Sequence, residues 1–439
     1  MAAFGFLEVL FLVLTNGGGN DLLDYVQSKA YWQLKGVAVT VPAITAELGR
    51  AKEAAEPAQA QAVRRLMAIR TLGELKDAQA LPTLQPLVKS EAPFEAEYGQ
   101  QAIAAIEGKA FARPHPPAKE LAKDAWLLPA SCGIAAQSSM PPGKPVDFEE
   151  AFKNAGPMPL DPKEALPEIT EALLSVAELT GNFRLHAIAL GVAGTIGDDE
   201  GFVVAIARGQ YDAKAVQAAL RLKGEVKSET VQGVEVLQPD RNVAMILPSN
   251  DCFVFLAGPR GEKLPIAEVA SALKKGTGTL AAESDLGKLI RSVDTSQPLW
   301  AVAKVTDTYR QAGPIVAAFD TATLVGRAEK EALKLDLVAL GTDAQKVANA
   351  VAAFDKLIQE GRAELAKAAQ EMPMTKPVAD FLASVRIQSD GPKATVTAAF
   401  KTASQATMAP FLFLFVARSA PRRGAVEHRE GPAPKPDDF

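Results

Sequence analysis

The sequence predicts an α+β protein in which an N-terminal α-helical, repeat-like segment precedes an α+β region of mainly antiparallel sheet with packed helices. Three observations carry that expectation. Residues 20–110 place apolar side chains at helical spacing. Beyond residue 120 the texture changes to short apolar runs bounded by Gly, Pro, Asn and Asp. Several of those runs are joined by stretches such as "PDR" and "PSND", too short for a crossover helix, so the strands should pair antiparallel. A chain of 439 residues exceeds one compact core, and 48% hydrophobic with 23% charged residues is the composition of a folded protein.

Residues 1–19 come first, and their run "AFGFLEVLFLVL" (3–14) is apolar but too short to span a bilayer. It lacks a Lys or Arg before Lys29 and an A-x-A site, and Glu8 interrupts it, so it reads equally as an atypical or truncated signal sequence and as a buried helix. The helical segment, 20–110, follows. It opens with "DLLDYVQSKAYWQL", for which Asp21 is a cap candidate, then "VPAITAELGRAKEAAE", then "PAQAQAVRRLMAIRTLGEL" opened by Pro57. In the third helix Val63, Leu66, Met67, Leu72 and Leu75 share one broad face, while Arg64, Arg65, Arg70 and Glu74 lie mostly off it. A further helix is expected at "ALPTLQPLVKS".

Shifting the chain by 31 residues aligns Val63 with Phe94, Met67 with Tyr98, Leu72 with Ile103 and Leu75 with Ile106. The stretch "AVRRLMAIRTLGELKDAQALPTLQPLVKSEAPFEAEYGQQAIAAIEG" resembles a HEAT-type helical repeat, of which one and a half to two units are visible. Stacked repeats need about three units to share a core, so the missing burial should come from residues 20–55 or from the next domain.

Proline clusters at "ARPHPPAK" (112–119) and "MPPGKPVDF" (140–148) mark residues 111–163 as a linker that includes a first strand, "LPASCGIAAQ" (128–137). Residues 164–295 form an α+β subdomain with strands at 185–194, 201–209, 233–238, 242–248 and 252–258, and helices at 212–222, 264–275 and 283–293. Residues 296–402 form another, with strands at 299–305, 322–329 and 332–340, a helix "IVAAFD", a long helix from Asp343 to about Glu371, and a closing hairpin turned at "SDGPK". The two could be similar subdomains in tandem. Residues 403–439 are a tail, rich in Pro and charge and expected to be disordered after 418. This half, with "WLLPASCGIAAQ", "VVAIARGQYDAKAVQAALRLKG" and "ALKLDLVALGTDAQKVANAVAAFDKLI", is similar to uncharacterised exported proteins of bacteria. The resemblance covers about residues 120–402; it implies export and supplies no catalytic residues.

The chemistry is mostly a set of absences. A net charge of −5 lacks the basic footprint of a nucleic-acid binder. His115, His186 and His428 stand apart in sequence, with no HExxH and no CxxC, so no metal or cofactor is expected; His115 and His428 read as solvated and His186 as a packed strand residue. "GVAGTIGDDEG" (191–201) reads as a polar turn joining two strands, with a Ca²⁺ site there disfavoured, and "KKGTGTL" as a helix C-cap; neither has nucleotide-binding spacing. "SALK" (Ser271 to Lys274) matches S-x-x-K without its companion motifs. Cys132 and Cys252 could bridge if their strands were neighbours, but two buried thiols are the commoner outcome.

These readings lead to a non-enzymatic exported or envelope-associated structural or interaction protein, its partner another protein bound through the helical repeat, with Arg64, Arg65, Arg70 and Lys76 as the exposed contact candidates. A carrier of a lipid or other apolar ligand, or an enzyme of unrecognised class, are the alternatives. No nucleic-acid partner and no transmembrane span are expected, and export is favoured over a cytoplasmic location.

Overall fold

The structure, a computed structural model, describes residues 20–53, 56–57, 59–92, 94–139, 162–194, 201–222, 226–259, 263–311, 313–329, 332–371 and 376–400. The expected apolar segment at 1–19, the tail beyond 400 and the acidic tip 198–200 lie outside these residues.

A 3-10 turn, Leu22–Tyr25, leads into helices α1 (Ser28–Leu34), α2 (Val41–Gly49), α3 (Ala60–Leu75) and α4 (Glu95–Ile106). The apolar face expected on α3 is buried at Val63, Leu66, Met67 and Leu72, and α4 answers it with Tyr98 and Ala102. The helices meet at Gly73, where a Cβ would lie 2.7 Å from the Ala102 Cα, so only hydrogen fits. Trp32 of α1 locks onto α3 by donating from Nε1 to the Thr71 hydroxyl at 2.8 Å. The helix expected at "ALPTLQPLVKS" is instead broken into Leu81–Leu84 and the 3-10 turn Gln85–Lys89. Pro86 has no N–H to give the carbonyl four residues back, which ends one turn and starts another.

The sheet elements follow in order: β1 (Ile134–Ser139), helix α5 (Pro162–Thr180), β2 (Arg184–Gly194), β3 (Gly201–Gln210), helix α6 (Ala213–Leu222), then β4 (Lys227–Val231), β5 (Val234–Asp240), β6 (Val243–Ser249) and β7 (Cys252–Ala257). Helices α7 (Ile266–Lys275) and α8 (Asp285–Ser292) precede β8 (Leu299–Lys304), β9 (Thr321–Glu329) and β10 (Ala332–Leu340). Helices α9 (Ala344–Glu371) and α10 (Lys376–Ser384) precede the hairpin β11 (Arg386–Asp390) and β12 (Lys393–Phe400). The hairpin turns at Gly391, whose φ of 55° is the positive value expected of "SDGPK". "IVAAFD" contributes only one helical turn, Pro314–Ala317. β4, "KSETV", escaped sequence reading because it is a polar edge strand paired on one side only.

Among the described residues all pairings are antiparallel, and the twelve strands form one sheet in the order β11-β12-β10-β9-β8-β1-β2-β3-β7-β6-β5-β4. The two stretches read as subdomains are therefore halves of one sheet. What joins them is β1, the strand expected within the linker, which pairs with β2 on one side and β8 on the other. It begins at Ile134 rather than Leu128, because Pro129 turns the chain and accepts from the Cys132 N–H at 3.2 Å.

Each face of the sheet is covered differently. On the back, Ala135, Val204, Ile206, Val254, Trp300 and Val302 are sealed under α7, α8 and residues 125–128. On the front, the N-terminal helices with α5 and α6 cover Leu237, Met245 and Leu247 at the β5–β7 end. At the other end of the front, Val347 of α9 packs on Ala339 and Ala394.

Candidate functional site: an apolar sheet face and its ionic clasp

Register places one residue from each of eleven strands in a single front-facing row. It runs Leu237, Met245, Phe255, Ala205, Leu190, Ala136, Ala301, Leu324, Leu337, Val396, Ile387, and every member is apolar. Directly opposed residues share a face, so this is a continuous apolar band. Its β5–β6 end is treated unlike its middle. Leu237 is fully buried, whereas Ala205, Leu190, Ala136, Ala301 and Leu324 are half-buried and belong to none of the three buried cores of the described residues.

Flanking rows add half-buried Ile188 and Leu299 on one side, with Ser138 of β1 between them, and half-buried Ile134, Ala303 and Val203 on the other, beside buried Val192. The contrast along β1 is direct: its residues alternate between half-buried on the front and buried on the back over all six positions. Central strands normally expose such residues only if the surface has another use. Small side chains at Ala136, Ala301 and Ala303 make a furrow between larger ones at Ile188, Leu190, Ile134 and Leu324. The walls at either end are the α5/α6 and α9/α10 groups, so the feature is a trough.

Beside the trough, at the start of β2, sits a buried ionic clasp. Asp21, the expected cap, opens the Leu22–Tyr25 turn and receives Asp24 in return, since the Asp21 N–H donates to Asp24 Oδ2 at 2.9 Å. Arg184, 1% exposed, donates from Nε to Asp21 at 2.6 Å and from both terminal nitrogens to Glu97 of α4 at 2.9 and 2.6 Å. Arg113, from the proline-rich stretch, donates to Asp24 at 2.9 Å and to Gln101 at 3.1 Å. The two guanidinium groups lie over the rings of Phe94 and Tyr98. Three carboxylates thus face two cations, and burial followed by the charge of Asp24 pushes Asp21 above the usual carboxylate range despite Arg184 and Arg113. The clasp ties the helical layer, the linker and the sheet at one point.

His115 and His186 meet there too, their rings edge to face at 5.2 Å. His115 is half-buried rather than solvated as expected. His186 is the extra residue where the β2–β3 register shifts between Leu185 and Ala187. Burial, then His115 and Arg184, lowers His186 to about 4, so it is neutral at pH 7.

The sequence-predicted contact residues do not form one exposed patch. Arg64 is 4% exposed; it pairs with Glu56 and donates to the carbonyls of Arg50 and Ala51. Arg65 binds Glu95 and the Leu48 carbonyl, and Arg70 binds Glu74 and the carbonyls of Leu23 and Val26. Long guanidinium groups bury their stems and satisfy orphan carbonyls, which helical periodicity alone does not show. Only Lys76, in the left-handed C-cap of α3, is exposed.

Other candidates settle as local structure. Ser271 and Lys274 lie on α7, where Lys274 reaches the Gln232 carbonyl at 3.3 Å, and Gly276 caps that helix. Cys132 and Cys252 are free and buried, with β2 and β3 between their positions, and burial pushes both thiols up to about 12. No cluster of His, Cys, Asp and Glu suited to a metal ion occurs among the described residues, and none of their helices is long and apolar enough to cross a membrane.

The layers and sheet define a mixed α+β protein with helices on both faces of a large antiparallel sheet. No family model matches the chain, and no curated protein does. Among solved structures it is similar to crystal form III of TP0453, at 9% identity and TM-score 0.36 over 67% of this chain and 97% of that one. Crystal form I of TP0453 gives 10% identity and TM-score 0.34 over 68% and 97%.

Proposed function

We propose that this chain is a non-catalytic binding protein whose front trough takes one apolar chain, such as the acyl tail of a lipid. The observation that supports the reading is the row of apolar residues across adjacent strands, of which Ala205, Leu190, Ala136, Ala301 and Leu324 are half-buried and belong to none of the buried cores of the described residues. A furrow floored by alanines favours a narrow, extended occupant, and each methylene it buries contributes about 0.8 kcal/mol. The helical layer serves as a wall of the trough in this reading, because its arginines are engaged in holding that layer together. Export, expected from the resemblance to exported bacterial proteins, is a separate part of the proposal that N-terminal sequencing of the chain from fractionated cells tests.

A fluorescent long-chain fatty acid titrated into the purified full chain tests the binding reading. Binding that saturates at one probe per chain, and that falls at least tenfold in Ala301→Glu and in Ala136→Trp with unchanged circular dichroism, is the expected result. Equal binding by both variants and the parent, or no saturable binding, overturns it.

A further inference from the structure

Among the described residues the sheet ends at β4 on one side and β11 on the other, and these two strands differ in what they could pair with. β11 reads Arg386, Ile387, Gln388, Ser389, Asp390, and all but Ile387 are exposed. Beside it runs an open groove of about 450 Å³ between the edge and α9, lined by Asp355, Gln359 and Arg362 on one side and Val385, Arg386 and Ile387 on the other. A groove along an open strand edge is the setting in which a further strand adds to a sheet.

We propose that the occupant is β11 of a second copy of this chain, paired antiparallel about Gln388. The strand is complementary to itself in that register. Arg386 faces Asp390 of the other copy, and Asp390 faces the other copy's Arg386, so a two-fold axis makes both ion pairs at once. Asp390 has no ion-pair partner among the described residues, and Arg386 uses one terminal nitrogen on the carbonyls of Ala383 and Val385, leaving its other donors available. All these charged groups lie on the back face, which at this end of the sheet carries Thr395, Thr397 and Lys393 and is solvated.

Alternative pairings are disfavoured by the same reasoning. β4 paired with itself about Glu229 would set two carboxylates opposite each other, and β4 on β11 is a heterologous contact that builds rings or filaments instead of a closed pair. The helices leave room. α9 approaches β11 near Arg386, so the two copies of α9 would be offset by four residues along the strands, about 13 Å, against the 8–10 Å at which helices pack.

Sedimentation velocity on the full chain over a range of concentrations tests the pairing. A monomer–dimer equilibrium is expected, weakened at least tenfold in Asp390→Arg and in Arg386→Asp, and restored when both substitutions are combined. Those backbone amides of Ile387–Ser389 that point away from β12 should also exchange more slowly as dimer forms. A monomer at every concentration, or a dimer indifferent to both single reversals, overturns the proposal. Dimerisation weakened by each reversal and not recovered in the double variant also overturns it.

Discussion

Arg184→Met removes the centre of the ionic clasp and keeps most of the side-chain volume. Arg184 is 1% exposed and makes three charge-assisted hydrogen bonds, to Asp21 and to both oxygens of Glu97. Without it, Asp21, Asp24 and Glu97 share Arg113 alone, and Asp21 is fully buried. Removing one partner of a buried pair costs about 3–5 kcal/mol, because the remaining charge is left unsolvated. Urea unfolding at 25 °C and pH 7 should register that loss. Asp21→Asn should also destabilise, and the double variant should recover about 1–3 kcal/mol relative to the sum, since the orphaned charge is then gone. A loss below 1 kcal/mol in Arg184→Met, or strict additivity, would refute the idea that these charges are desolvated and mutually dependent.

Two further outcomes follow from the same geometry. Gly73→Val should cost about 1–3 kcal/mol in the same assay, since its Cβ has only 2.7 Å to the Ala102 backbone and α3 must move off α4. A cost near zero would mean that the helices do not meet at this point. His186 is lowered from 6.5 to about 4, so between those values the unfolded chain binds the proton that the folded chain refuses. Its contribution is therefore present above pH 6.5 and lost as pH falls toward 4, about 2–3 kcal/mol after allowing for its partial exposure. Asp21, raised instead of lowered, acts in the opposite sense over its own window. His186→Gln should flatten the stability profile between pH 6.5 and 4, and an unchanged slope would assign the acid limb to other groups.

Strands and helices of the C-terminal half were legible because their signals are local. The β9–β10 run, the long α9 and the hairpin turned at Gly391 each declare themselves by alternation, helical period or turn chemistry within a few residues. Features that depend on distant parts of the chain were not legible. Arg64 looks like a solvated charge beside an apolar stripe, and only the loop carrying Glu56 and two free carbonyls makes it a buried one. Likewise Asp21, Arg113 and Arg184 are far apart in sequence, and nothing in their spacing anticipates that they share one site. The trough is a further case: "GIAAQ" and "LWAVAK" read as strands, which is correct, but whether a helix lies over the front is decided by how the two helical groups part. Sheet order mattered in the same way, since β1 looked peripheral in a proline-rich linker and lies at the centre.

Methyl-detected NMR of the full chain, with isoleucine, leucine and valine methyls labelled and a long-chain fatty acid titrated in, tests the central claim most directly. The account predicts saturable shifts confined to Ile134, Ile188, Leu190, Val203, Leu299 and Leu324 on the front, with Val302 and Ile206 on the back unmoved. Shifts spread over both faces, or absent from the front residues at saturating fatty acid, would contradict it.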